Sequence, residues 1–282
     1  MMNRILVAGM PSSGKSTYIA ALRHALVAKD VSCALELVGL SQEEAHLNRL
    51  ELDWVDGKEV QRTQSANETW VELQIRDRAT QDSVVLALPD LKGESFEQPA
   101  TLGLLQEELQ RELNSASSAM LFTSADREDD KLLISDMADI LGDEPAGADV
   151  PATSFDAREM PEEVKIVELL QFANRRPLFG RRRKLALIVS AWDVVDAQTQ
   201  GEPERWLTAN RAMLDQFLRY NSHLWDLRVY GISAQGGRLP EDRDRLMKFS
   251  KPSERIQVVG HGADRHDITA PLRWLIASQP AP

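Results

Sequence analysis

Short apolar runs alternate along this chain with stretches whose apolar residues recur at helical spacing. Arg4 to Ala8 is the first such run, and Ser16 to Lys29 follows it with Ile19, Leu22, Ala25 and Leu26 on one helical face. A strand, a turn and a helix of this kind read as one unit of a parallel sheet. A second strand is expected within Ser32 to Leu40. The order Ser41-Gln-Glu-Glu44 then has the form of a capping box, opening a helix to about Val55 that Gly57 closes. From Thr69 to Asp77 the pattern alternates, with Val71, Leu73 and Ile75 set against Glu72, Gln74 and Arg76, as in a strand with one solvated face. Ser83 to Leu88 is continuously apolar and reads as a buried strand, joined to the previous one by a polar turn as an antiparallel hairpin at a sheet edge.

Further on, a helix is expected from about Ala100 to Asn114, a strand from Ala119 to Thr123 and a helix from Glu162 to Asn174. A strand from Leu185 to Ser190, a helix from about Glu204 to Asn221, a strand from Arg228 to Ser233 and a last helix opened by Thr269 and Pro271 complete the rhythm. Asp126 to Pro161 breaks it, being acidic and interrupted by Pro145, Pro151, Gly142 and Gly147, and reads as a flexible insertion. Strands alternating with helices throughout predict an α/β fold with a mainly parallel sheet and one antiparallel edge strand, built as a single domain over residues 1–282.

Composition narrows the function classes without choosing one. The 33 basic residues are outnumbered by 44 acidic ones, a net charge of -11, which disfavours a nucleic-acid partner or an anionic-membrane anchor. A single cysteine, Cys33, rules out an internal disulfide and fits a cytoplasmic protein. No apolar run approaches the ~18 residues of a membrane span, and the N-terminal run is too short for a signal sequence, so no membrane insertion is expected.

Gly9-Met-Pro-Ser-Ser-Gly14-Lys15-Ser16 matches G-x-x-x-x-G-K-[ST], placed between a predicted strand and a predicted helix. Such a turn, with Ser12 and Ser13 inside it and Thr17 just beyond, aims backbone N–H groups at phosphate oxygens. Lys15 reaches the terminal phosphates, and the Ser16 hydroxyl is a Mg²⁺ ligand. Asp90-Leu-Lys-Gly93 follows the apolar run ending at Leu88; a strand-tip carboxylate there suits Mg²⁺, and Gly93 allows its N–H close to a γ-phosphate. Glu94 comes next, either orienting the attacking water or standing as a solvated loop carboxylate. Ser190-Ala-Trp-Asp193 ends another buried strand, where a carboxylate accepts both N1–H and N2–H of guanine, bonds that adenine cannot supply. Ser233-Ala234-Gln235-Gly-Gly237 ends the next strand and brings backbone to the base edge.

In their order and placement these segments resemble TRAFAC-class P-loop GTPases, with D-x-x-G, a strand-end Asp in the place of [NT]KxD, and SAQ in the place of SAK. Leu88-Pro-Asp-Leu-Lys-Gly-Glu-Ser-Phe96 looks most like the bacterial double-GTPase family of predicted conflict systems, found beside a second GTPase-like protein. The resemblance spans about Ile5 to Leu275. It implies a Ras-like three-layer sandwich that binds GTP or GDP with Mg²⁺ and hydrolyses GTP as a nucleotide-dependent switch for a second protein; turnover without a partner is expected to be slow, because no cis arginine is identifiable in the switch segments. It further implies Lys15 and Ser16 on phosphate and Mg²⁺, Asp90 and Gly93 in switch II, Glu94 in the place of the water-orienting glutamine, and Asp193 selecting the base. Switch I should carry a Mg²⁺-ligating threonine, for which Thr63 is preferred and Thr69 competes. Ser190 and Ala191 replace the Asn and Lys of the base motif, so guanine is favoured over adenine by a narrow margin; Trp192 either covers the base in place of the lysine stem or belongs to the core. The alternatives are a switch that binds GTP and GDP with little hydrolysis, and an ATP-dependent P-loop kinase. The basic run Arg175 to Lys184 is read as an arginine finger, a lid, a docking patch for an acidic partner, or a solvated loop. His261, Asp264, His266 and Asp267 have no common metal-site spacing and read as a polar loop before the last helix.

Overall fold

A computed structural model describes residues 3–40, 44–60, 71–88, 94–126, 130, 159–175 and 182–277. In chain order its main elements are β1 (Asn3–Gly9), α1 (Lys15–Ala28), β2 (Leu35–Leu40), α2 (Glu44–Val55), β3 (Val71–Asp77), β4 (Ser83–Leu88), α3 (Glu94–Leu102), α4 (Glu107–Ser115) and β5 (Ser118–Ser124). They continue with α5 (Glu162–Ala173), β6 (Arg183–Ser190), α6 (Pro203–Asn210), α7 (Ala212–Tyr220), β7 (Trp225–Ser233), α8 (Arg243–Leu246), β8 (Gln257–Val259) and α9 (Ala270–Ile276). The strands form one sheet in the order β2-β3-β4-β1-β5-β6-β7-β8. β4, β1, β5, β6 and β7 run parallel, with Ile5 opposite Leu86 and Gly9 opposite Phe122 across the centre.

Alternation along β1 sends Ile5 and Val7 to one face and Leu6 and Ala8 to the other. The first face packs against Leu22 of α1, Trp54 of α2 and Leu272 of α9. The second packs against Phe96 of α3, Leu109 of α4, Ile166 of α5 and Leu214 of α7. Because helices cover both faces, the central strands are apolar throughout, which is why β4 and β6 read as unbroken runs. β3 keeps its alternation, with Val71, Leu73 and Ile75 buried and Gln74 exposed, since only one of its faces has a helical cover.

The antiparallel strand expected at one side of the sheet is present as β3, one place in from the edge, because β2 pairs antiparallel outside it. A second antiparallel edge strand, the three-residue β8, pairs with β7 at the opposite side and has no sequence signal of its own. Two helices expected to be continuous are each divided. Gly103, at φ +64°, separates α3 from α4, and Arg211, at φ −138° and ψ 55°, separates α6 from α7. Most of the 126–161 insertion lies outside the described residues, as do 176–181 of the basic run. The end of that run belongs to the fold: Lys184 is buried and donates to the carbonyls of Trp274 and Ala277 at 2.7 and 2.6 Å, satisfying the C-terminal end of α9. Arg183 likewise donates to Leu113 O at 2.8 Å. No described helix is long and apolar enough to cross a membrane.

Candidate functional site

The turn from β1 to α1 has glycine at the two places where space or conformation requires it. A Cβ on Gly9 would stand 2.7 Å from Ser13 Oγ and 2.9 Å from Phe122 of the neighbouring strand, and one on Gly14, at φ +84°, would meet Ser190 Oγ at 2.7 Å. The loop therefore lies directly against the ends of β5 and β6. Lys15 is buried with its ammonium folded under the loop, donating to Gly9 O at 2.8 Å, Met10 O at 2.7 Å and Ser13 Oγ at 3.1 Å. Ser13 is buried with it, Ser12 is exposed, and Ser16 and Thr17 stand half-buried in the first turn of α1. This turn sits at the positive end of the helix dipole, so the loop pairs a cation with a helix N-terminus.

From the loop a cleft of about 470 Å³ runs across the carboxyl ends of β6 and β7. Its walls include Ser12, Gly14 and Thr17 on one side and Ala191, Asp193, Ala234 and Gln235 on the other. Segments as far apart in the chain as Ser12 and Gln235 thus face one space. Asp193 is anchored: its Oδ1 accepts the Ser233 hydroxyl, and Ser233 Oγ accepts the Gly236 N–H at 3.0 Å. Ser233 is itself buried, so its side chain acts on the cleft through Asp193.

Of the two places expected for Trp192, over the base or in the core, it takes the core. Its ring is 1 % exposed, its indole N–H donates to Gln200 O at 2.8 Å, and it meets Trp206 edge-on at 6.2 Å. The ring fills the core beside Gly231, where a Cβ would come within 2.2 Å of it, and the cleft is lined by its neighbours Ala191 and Asp193 instead. Glu94 opens α3; Asp90, Gly93, Thr63 and Thr69 lie outside the described residues.

Sequence reasoning missed a buried ionic cluster on the cleft's far wall. Arg211, 1 % exposed, pairs with Asp130 and with Glu162 at 2.6 Å, and donates to Thr123 Oγ1 at 3.2 Å and Ser124 O at 3.3 Å. Glu162 also accepts the Thr123 hydroxyl at 2.7 Å. Burial raises the Glu162 carboxyl above its ordinary range; Arg211, the Thr123 hydroxyl and the charge of Lys15 pull the other way without reversing it. Beside it Lys165 pairs with Glu97 of α3 at 2.8 Å, joining α5 to the helix that Glu94 opens. Nothing in the local pattern marks Arg211, which sits where helical spacing continues unbroken.

Among described residues no group of three His, Cys, Asp or Glu side chains is arranged to hold a metal. The oxygen donors expected for Mg²⁺ are of another kind, a hydroxyl at Ser16 with Asp90 and a threonine, and hard oxygen donors of this sort suit a small divalent cation.

The Double-GTPase 1 family model matches residues 6–275, almost the whole chain. The chain belongs to that family. As a member of it, this is a GTP-binding protein with the α/β sandwich described above. None of the curated proteins compared with the chain matches it. Among solved structures, that of sup35 complexed with GDP is 14 % identical with a TM-score of 0.37, and the match covers 84 % of this chain and 38 % of that one.

Proposed function

We propose that this family member, as a single domain, binds GTP and GDP in the cleft between the P-loop and the ends of β6 and β7. It hydrolyses GTP with Mg²⁺ and serves in the cytoplasm as a nucleotide-dependent switch for a protein partner. The observation that carries the reading is the convergence on one cleft of the loop residues Ser12, Gly14 and Thr17, which flank Lys15 at the start of α1, and of Asp193, tied through Ser233 to the end of β7.

Lys15 exchanges the carbonyls of Gly9 and Met10 for the terminal phosphate oxygens, while the loop N–H groups from Ser13 to Thr17 and the dipole of α1 stabilise the phosphate charge. Ser16, Asp90 and Thr63 would hold Mg²⁺, which supplies neutralisation of charge on the β- and γ-oxygens. Glu94 orients the attacking water, and Gly93 with Thr63 reads the presence of the γ-phosphate. Asp193 accepts N1–H and N2–H of guanine; Ser233 occupies part of one carboxylate oxygen and fixes its direction. Adenine presents an acceptor at N1, which the carboxylate repels. Arg211 is committed to Glu162 and Asp130, so turnover is slow until a partner supplies further positive charge.

Titrations with mant-GDP and mant-ADP test the base assignment. Asp193→Ala is expected to lower GDP affinity by about tenfold or more while leaving ADP nearly unchanged; tighter wild-type binding of ADP than of GDP would overturn it. Hydrolysis is tested by single-turnover rates, where Glu94→Ala should slow cleavage by roughly two orders of magnitude without weakening GTP binding. An equal rate in the variant removes Glu94 from the mechanism.

A further inference from the structure

The end of α2 is built into the loop that faces the base. Trp54 is wholly buried, and its indole N–H donates to Ala234 O at 3.0 Å, across 180 positions of sequence. Arg255 clamps the ring, its guanidinium carbon lying 4.2 Å over the ring centre and its Nη2 donating to Trp54 O at 3.0 Å. Arg255 is 2 % exposed, so the stack is desolvated, the condition under which a cation over an indole is strongest. The clamp also abuts the loop, since a Cβ on Gly236 would stand 2.5 Å from Arg255 O.

This tie fixes a direction as well as a position. The Ala234–Gln235 peptide is trans, and in a trans peptide the N–H points opposite to the C=O. Trp54, which holds the Ala234 carbonyl, does not line the cleft, whereas Ala234 and Gln235 both do, and a carbonyl held toward Trp54 sets the Gln235 N–H on the opposite side of the peptide. We infer that Trp54, clamped by Arg255, is a positioning residue for base recognition, holding the Gln235 N–H as a donor to the 6-keto oxygen of a guanine nucleotide. The inference rests on the guanine-nucleotide reading above. The tie is anchored at the end of α2. Arg243 reinforces that anchor by donating to Asp56 O at 3.1 Å.

The test is calorimetric titration of the full chain with GDP and with inorganic triphosphate, a probe that has phosphates and no base. Trp54→Phe keeps a ring under Arg255 and removes the indole donor. It is expected to weaken GDP about three- to tenfold and to leave triphosphate affinity within about twofold. Unchanged GDP affinity, or equal losses for both ligands, would overturn the inference, the second because it marks general damage to the fold. If Trp54→Phe does not fold, Arg255→Lys loosens the clamp from the other side and is held to the same two outcomes. A wild-type chain that binds triphosphate but not GDP overturns the guanine reading itself, a failure visible before any variant is made.

Discussion

At the scale of single residues, the P-loop lysine shows how local sequence and tertiary setting divide the work. Its place after Gly14 is dictated by the motif, but its ammonium lies buried because oxygen acceptors of the folded loop receive its hydrogens. In the proposed nucleotide complex, exchanging those acceptors for phosphate replaces neutral carbonyl acceptors by charged phosphate oxygens, so that donor and acceptor are both ionised. Lys15→Met should therefore weaken GDP by roughly ten- to a hundredfold in equilibrium titrations while the circular dichroism spectrum keeps its native form. Trp192 is the opposite case. Along β6 alternate residues face alternate sides, and extrapolating that rhythm puts Trp192 on the side of Ala186 and Ile188. Ala191 takes a left-handed conformation, φ 50° and ψ 38°, which breaks the alternation and sends the indole into the core with Asp193 beside the cleft. A side chain's direction after a strand end depends on that one backbone choice, which the residue types at 190–193 do not reveal.

At the scale of elements, the lengths of helices were less legible than their existence. The apolar spacing from Glu204 to Asn221 runs on without interruption, yet the helix parts at Arg211 so that its guanidinium reaches β5. The interruption is sustained by distant partners, Glu162, Asp130 and Thr123, each supplied by another part of the chain. Such a cluster is costly to break because a buried carboxylate left alone retains its desolvation penalty. Arg211→Ala is expected to lower stability by about 3–5 kcal/mol in urea unfolding, and adding Glu162→Gln to recover part of that loss by removing one orphaned charge. Additive losses would show that the cluster is not a unit. Gly103 and β8 are further cases: a left-handed glycine and a three-residue strand leave too little periodicity to read.

At the scale of the molecule, Asp77 ties the β3–β4 turn to the last helix. Its Oδ1 accepts the N–H groups of Ala79 and Thr80 at 2.7 and 3.1 Å, and its Oδ2 accepts from Arg273 at 3.0 Å. Burial pushes this carboxyl up, but those three donors outweigh it and hold it below its usual range. A carboxyl depressed in the folded state adds stability above its unfolded value near 3.9, and that contribution is lost as pH falls through the lower folded value. Asp77→Asn should thus cost about 1–2 kcal/mol at pH 7, and the gap to wild type should narrow as the pH falls below about 4. Thermal melts across that range check it, and a gap that stays constant would remove Asp77 from the acid response.

The sequence by itself determined the alternation of strands and helices, the P-loop and the order of the segments placed around it. These are carried by local periodicity and by turns whose geometry demands particular residues. Only the tertiary structure decided the sheet order with β2 outside β3, the cluster at Arg211, the inward turn of Trp192 and the tie from Trp54 to Ala234. Each of these depends on contacts between residues far apart in the chain, where the energy belongs to a pair and neither member alone carries its sign.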